Sequence, residues 1–225
     1  MERAYFVGFT SFTLGIGDYV PAAGPWQLAT VCATISGLAL TTAAITYLIP
    51  VVSAVTERSV QAATIAGLGS GPHGIVVNAY RGGSLRFLEP VFGQLAQELR
   101  RTAERQLSYP LLQYFHPGSS QTELRVQLAS LDDALVLIEH GLGSEVVRPH
   151  PVAMASLRSA IAQLVERAVP APASRPPPPL QLQPLREAGL PVVDETSFAE
   201  RCERVVEHRA RVAGYAAESK WPRPS

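Results

Sequence analysis

The sequence predicts an all-α membrane protein, and its uneven distribution of charge carries this prediction. Of the 225 residues, 47% are hydrophobic and 17% are charged. No charged residue occurs between Asp18 and Glu57, whereas 18 of the 19 lysine and arginine residues follow Glu57. The uncharged stretch suits lipid and the charged remainder suits water. We therefore expect a membrane-embedded region followed by a helical, water-exposed region.

The apolar stretch from Gly24 to Val55 is long enough to form a transmembrane helix, since about 20 apolar residues cross a bilayer. Its hydroxyl residues favour a helix that faces water or other helices on one side. They are Thr30, Thr34, Ser36, Thr41, Thr42, Thr46 and Ser53. Basic residues that follow the span, beginning with Arg58, predict that the following region is cytoplasmic. The alternative is a buried helix of a soluble protein, but no core strands flank it.

Composition argues against several classes of protein. The formal net charge is zero and the isoelectric point is near 7.0, whereas nucleic-acid binders carry a basic surface. The two cysteines, Cys32 and Cys202, are too few for a disulfide framework or a four-thiolate zinc site. The five histidines lack the spacing of metal ligands. GLGSG at 67–71 is similar to a dinucleotide loop, but a poor strand precedes it. We predict no enzymatic activity and no cofactor.

After the span, composition divides the chain into four segments. We expect a loop-rich connector, a helical cytoplasmic domain, a proline-rich linker, and a C-terminal amphipathic helix with a tail. In this order they cover residues 57–84, 85–168, 169–186 and 187–225. The linker holds seven of the 19 prolines, a composition that favours an extended spacer. A ligand for an aromatic-lined groove is the alternative.

Apolar residues spaced three and four apart predict three helices in the cytoplasmic domain. They cover residues 89–105, 121–141 and 153–168, and Tyr109-Pro110 interrupts the pattern after the first. The first two helices are expected to pack as an antiparallel pair. Asp132 and Asp133 are expected on the polar face of the second helix as a solvated pair.

A further helix is predicted from residue 195 to about residue 220, with an apolar stripe that Arg209 interrupts. The stripe consists of Phe198, Cys202, Val205, Val212 and Tyr215. A stripe this narrow needs a partner, because packing supplies most helical stability. The partner is either a second copy of the helix or the preceding domain, and we expect a weak contact that assists assembly.

A short motif precedes the span. Residues 13–18 read Thr-Leu-Gly-Ile-Gly-Asp, after an aromatic-rich segment suited to a short helix. The motif resembles the selectivity filter of potassium channels of the two-transmembrane, single-pore-loop bacterial type. The order of segments is also similar: pore helix, filter, outer acidic residue and inner helix. The resemblance covers residues 1–56, about a quarter of the chain, and implies a pore domain there.

The resemblance implies a role for each motif residue. A potassium ion sheds its water only where oxygens replace the hydration shell, and in such filters most of these are backbone carbonyls. The implied ion-binding residues are Thr13, Leu14, Gly15, Ile16 and Gly17, with Asp18 at the outer mouth. Aligned carbonyls require positive φ at alternate residues, which glycine adopts without strain, so Gly15 and Gly17 are expected there. One filter segment per chain implies a homotetramer in the lipid bilayer, with K⁺ as the transported ion.

Two residues of the span are candidates for gating. Gly37 lies twenty residues beyond Gly17, where inner helices of the family carry a glycine that permits bending. Close helix packing is the alternative for Gly37. Pro50 removes a helical hydrogen bond near the cytoplasmic end and is expected to kink the helix.

The sequence departs from the family at two points. Ile16 stands where the family has an aromatic residue, and the family's outer helix would precede Met1. We therefore expect either an upstream start, which would make the protein multi-pass in the cell membrane, or a truncated chain. The predicted function is the pore-forming subunit of a potassium channel whose cytoplasmic region binds an unknown regulatory ligand, if any. The alternative is a non-conducting, membrane-tethered helical interaction protein derived from a channel.

Overall fold

The computed structural model describes residues 2–15, 17–22, 24–108, 123–168 and 177–217. Over these residues the chain is helical, with three isolated β-bridges and no extended strand. The protein is an all-α membrane protein, as predicted. The helices are α1 (Glu2–Ser11), α2 (Pro25–Leu68), α3 (Gly71–Ala79), α4 (Leu88–Ser108), α5 (Leu124–Val136), α6 (Pro151–Arg167), α7 (Gln183–Glu187), α8 (Glu195–Glu203) and α9 (Val206–Ala217). A π-helical turn, Leu137–Gly141, continues α5.

The chain divides into two compact units, Met1–Ser53 and Ala54–Ser225. The first unit contains α1, the turn that follows it and most of α2. The second unit contains the end of α2 and all later helices. Helix α2 therefore contributes residues to both units.

Within the described residues, α2 is the one helix long and apolar enough to cross a membrane. Many of its apolar side chains are exposed in the first unit, as lipid-facing side chains of a membrane helix would be. Several hydroxyl groups donate to carbonyls of the same helix, from Thr30 to Trp26 at 2.9 Å and from Thr41 to Gly37 at 3.0 Å. These hydroxyls are satisfied within the helix, so they suit an apolar solvent.

The prediction of a loop-rich connector at residues 57–84 is wrong for most of its length. Helix α2 runs to Leu68 and α3 begins at Gly71. The glycines that indicated a loop instead allow the backbone at Gly69 to lie close to the backbone at Gly74. A Cβ on Gly69 would lie 2.5 Å from the carbonyl oxygen of Gly74. The glycine run follows a helix, so it lacks the preceding strand of a dinucleotide-binding loop.

Helix α5 lies at the centre of the second unit, and all thirteen of its residues are buried. It packs against α3 and α9, whereas α4 packs mainly against α6. The predicted pairing of α4 with α5 is therefore wrong. A central helix such as α5 packs against several elements on different sides. Its polar residues gave it the pattern of a half-exposed helix, so the hydrophobic pattern did not predict its central position.

Asp132 and Asp133 are buried, so the prediction of a solvated pair is wrong. The Nε2 atom of His208 lies 2.9 Å from Asp132 Oδ1. The Nε atom of Arg209 donates to Asp133 Oδ1 at 2.8 Å. Two consecutive acids on α5 thus meet two consecutive bases on α9, which offsets part of the desolvation of all four groups.

The helix predicted for residues 195–220 is two helices, α8 and α9, separated at residues 204–205. The preceding domain was one of the two packing partners considered for this helix, and in the structure α8 and α9 pack against it. Leu182 and Leu185 near α7, Phe198 on α8 and Tyr215 on α9 are all buried in the same core. Arg209, which interrupts the apolar stripe, is buried against Asp133. The expected weak contribution of this region to assembly stays a prediction.

The part of the linker that the structure describes contains the short helix α7, so residues 177–187 do not form an extended spacer throughout. Residues 169–176, which begin the predicted linker, lie outside the described residues, as do Tyr109-Pro110 and residues 218–225.

Candidate functional site

Helix α1 ends in a turn that places the motif directly after it. The amide of Thr13 donates to the carbonyl of Thr10 at 3.1 Å, and the amide of Leu14 donates to the carbonyl of Phe9 at 2.9 Å. With φ of 57° at Thr13, these two bonds form a Schellman motif. Glycine usually occupies the left-handed position of this motif, so the β-branched Thr13 is strained there.

The motif has the alternating backbone that the sequence predicted. Gly15 has φ of 58° and Gly17 has φ of 85°, which confirms the expectation of positive φ at both. A Cβ on either glycine would have no neighbour within 4 Å. Backbone conformation, and not lack of space, therefore requires glycine here. Thr13 is a third left-handed position, which sequence reasoning missed, and Ile16 lies outside the described residues.

Asp18 follows the glycines and is hydrogen-bonded to α1. The hydroxyl of Tyr5 donates to Asp18 Oδ2 at 3.4 Å. The Tyr5 ring is also in edge contact with Phe9, at 5.3 Å between centroids, and with Tyr19, at 6.3 Å. Sequence analysis noted the aromatic residues of this segment but did not predict their contacts. The four-residue spacing of Tyr5 and Phe9 on α1 was the available signal for the contact between their rings.

Gly37 of α2 lies against the end of α1. A Cβ on Gly37 would lie 2.7 Å from both the Cα and the carbonyl carbon of Ser11. Real side chains do not approach a backbone so closely, so this position accommodates only glycine without movement. The contact favours the packing explanation of Gly37. Pro50 lies inside α2, which continues through it to Leu68.

Titratable groups of the second unit respond to burial and hydrogen bonding. Burial lowers the pKa of His140 below its ordinary value and raises the pKa of the Cys202 thiol. The backbone N–H of Ser197 donates to Asp194 at 2.8 Å and lowers the pKa of that carboxyl. Across the described ranges, no three or more His, Cys, Asp or Glu residues are grouped as metal ligands.

Residues 1–54 match a family model whose description is ion channel. This segment is similar to ion channels. The match contains α1, the motif, and α2 as far as residue 54. It ends at Ala54, one residue after the end of the first compact unit. The channel-like segment and the first unit therefore coincide to within one residue.

A relative covers both units of the chain. The uncharacterized membrane protein YdjJ of Bacillus subtilis (strain 168) is 30% identical over 226 residues, which is 98% of this chain. The chain spans 66% of the length of that relative. No solved structure matches the chain. The channel-like segment and the second unit therefore have their counterparts together in one membrane protein.

Proposed function

We propose that the chain is the pore-forming subunit of a potassium-selective channel that carries K⁺ passively across the cell membrane. The observation that supports this most strongly is the left-handed backbone at Thr13, Gly15 and Gly17. It lies between α1 and Asp18, within the segment that is similar to ion channels. Four copies would surround one ion with their motif segments, so the channel would be a homotetramer.

In this proposal the backbone carbonyls from Thr13 to Gly17 replace the water around K⁺. An ion enters only when the carbonyl oxygens bind it about as favourably as water does. It leaves because the binding at each of several adjacent sites is weak. The Thr13 hydroxyl would add a further oxygen at one end. The strain at Thr13 would persist because the hydrogen bonds that end α1 hold the turn in place.

Asp18 would lie at the outer mouth, where a ring of four carboxylates attracts cations. Tyr5 would hold the carboxylate in position through its hydroxyl. Helix α2 would line the passage beyond the motif, and Pro50 would affect bending toward its cytoplasmic end. The position of Arg58 after the apolar stretch supports a cytoplasmic location for the second unit.

The test is flux of K⁺ and Na⁺ into liposomes that contain the natural full-length protein. Replacing Gly17 by alanine should abolish selective flux while membrane insertion persists, because alanine disfavours φ of 85°. Gly93→Ala is the matched control, since Gly93 of α4 has no positive φ and no neighbour within 4 Å of an added Cβ. Absence of any cation flux from the unsubstituted protein would overturn the proposal.

A further inference from the structure

The π-helical turn Leu137–Gly141 is a meeting point for side chains of the second unit. Such turns are rare and often lie at functional sites. Helix α8 lies close to this one, because a Cβ on Gly141 would lie 3.5 Å from the ring of Phe198. Arg158 of α6 reaches the same turn, with its Nη1 atom 2.6 Å from Glu139 Oε2. The turn therefore brings side chains of α6 and α8 together.

Positive charge is in excess around His140, which belongs to this turn. Burial lowers the pKa of His140, the guanidinium groups of Arg158, Arg201 and Arg204 lower it further, and the Glu139 carboxylate opposes them. Glu139 forms an ion pair with Arg158. The Nη1 atom of Arg201 donates to the carbonyl of His140 at 3.4 Å. Three positive charges thus act on the imidazole against one negative charge, and the excess of two lies on Arg201 and Arg204.

No carboxylate among the residues that the structure describes forms an ion pair with Arg201 or Arg204. Glu200 and Glu203 adjoin these arginines in the sequence, but both acids are exposed and neither is paired with them. Arg204 is itself exposed, so a ligand can reach it. The side chains of this region therefore leave the excess of positive charge in place.

The carbonyl groups of the turn do not account for these arginines. Arg148 donates to the carbonyls of Ile138 and Leu142, at 2.9 and 2.6 Å, and so supplies the hydrogen bonds that a helix end needs. Arg158 gives a direct sign of a missing acceptor, because its Nη2 atom is buried and has no hydrogen-bond partner. A buried N–H group without an acceptor is costly. An anion among these guanidinium groups would supply the acceptor.

We propose that Arg158, Arg201 and Arg204, which we call the basic cluster, bind the phosphoryl group of a soluble molecule. A planar guanidinium binds phosphate through two parallel hydrogen bonds. A phosphate monoester carries a charge of about −1.5 to −2 at pH 7, which matches the excess charge of the cluster better than the single charge of a carboxylate does. The His140 imidazole adds an N–H donor. The cluster lies in the second unit, so this inference does not rest on the channel proposal.

The test is calorimetric titration of the natural full-length protein in neutral detergent with inorganic phosphate. Arg204→Gln should weaken binding about ten-fold, the loss expected for a hydrogen bond to a charged group. Arg204→Lys keeps the charge without the planar fork and should lose less. Arg211→Gln is the matched control, because Arg211 is also exposed but lies on α9, outside the cluster. Pyrophosphate should displace phosphate, whereas acetate, or phosphatidylglycerol added to the detergent, should not.

Four results would overturn the proposal. The first is absence of phosphate binding to the unsubstituted protein. Equal binding by the unsubstituted protein and Arg204→Gln would show that the cluster is not the site. Equal losses in Arg204→Gln and Arg211→Gln would show attraction by overall charge. Displacement by phosphatidylglycerol would assign the cluster to a lipid headgroup, and displacement by acetate would assign it to a carboxylate.

Discussion

The hydroxyl of Tyr5 donates a hydrogen bond to Asp18 across 3.4 Å, which joins α1 to the residue that follows the second motif glycine. The resemblance places an aromatic residue at position 16, where this chain has Ile16. Isoleucine has no hydroxyl to bond to its surroundings. In the channel proposal, Tyr5 on the preceding helix would supply such a hydroxyl through its bond to Asp18.

Replacing Tyr5 by phenylalanine tests this contact. The ring contacts with Phe9 and Tyr19 would remain, while Asp18 would lose the hydrogen bond that the Tyr5 hydroxyl donates. We expect a lower K⁺ over Na⁺ permeability ratio with unchanged membrane insertion. Tyr80→Phe in the second unit is the control. An unchanged permeability ratio in Tyr5→Phe would show that the hydroxyl does not support the motif.

Replacing Gly37 by alanine separates its two explanations. If Gly37 serves close packing, the added Cβ meets Ser11 and overpacking lowers stability by about 1–3 kcal/mol. If Gly37 is an uncrowded hinge, alanine instead stabilises the helix by about 1 kcal/mol and impairs opening. We expect a lower thermal transition in detergent. Gly8→Ala on α1 is the control, since its Cβ would have no neighbour within 4 Å. A higher transition in Gly37→Ala would support the hinge.

Replacing Asp133 by leucine leaves Arg209 buried without its carboxylate. Removal of one partner of a buried ion pair costs about 3–5 kcal/mol, so the free energy of unfolding should fall by that amount. Chemical denaturation of the full-length protein in detergent measures it. The double variant Asp133→Leu/Arg209→Met should recover most of the loss, because no unpaired charge remains. Glu200→Gln, at an exposed acid on α8, is the control.

The His140 imidazole predicts how stability changes at acidic pH. Burial lowers its pKa in the folded protein, so the unfolded chain binds a proton more readily. Stability should therefore fall as pH drops through the ordinary histidine value of about 6.5. Glu139, Arg158, Arg201 and Arg204 also act on this imidazole. We expect His140→Gln to reduce the fall in thermal transition between pH 7.5 and pH 5. Identical pH profiles for His140→Gln and the unsubstituted protein would contradict this expectation.

The membrane helix and the motif could be predicted from the sequence because both are local patterns. An uncharged stretch specifies its solvent, and glycines at alternate positions specify a left-handed backbone. The burial of Asp132 and Asp133 could not be predicted in this way. Their partners on α9 are 76 residues away, and adjacent acids on a helix are ordinarily solvated. The contact of Gly37 with Ser11 could not be predicted either, because a glycine in a membrane helix is compatible both with bending and with close packing.

The most direct test of the channel account is the reversal potential of the natural full-length protein in a planar bilayer, with K⁺ on one side and Na⁺ on the other. The account predicts a reversal potential far from zero, from which the K⁺ permeability is calculated to be much higher than the Na⁺ permeability. It also predicts that Gly15→Ala removes this preference, because φ at Gly15 is 58°. Reversal near zero in the unsubstituted protein, or no current at all, would contradict the account.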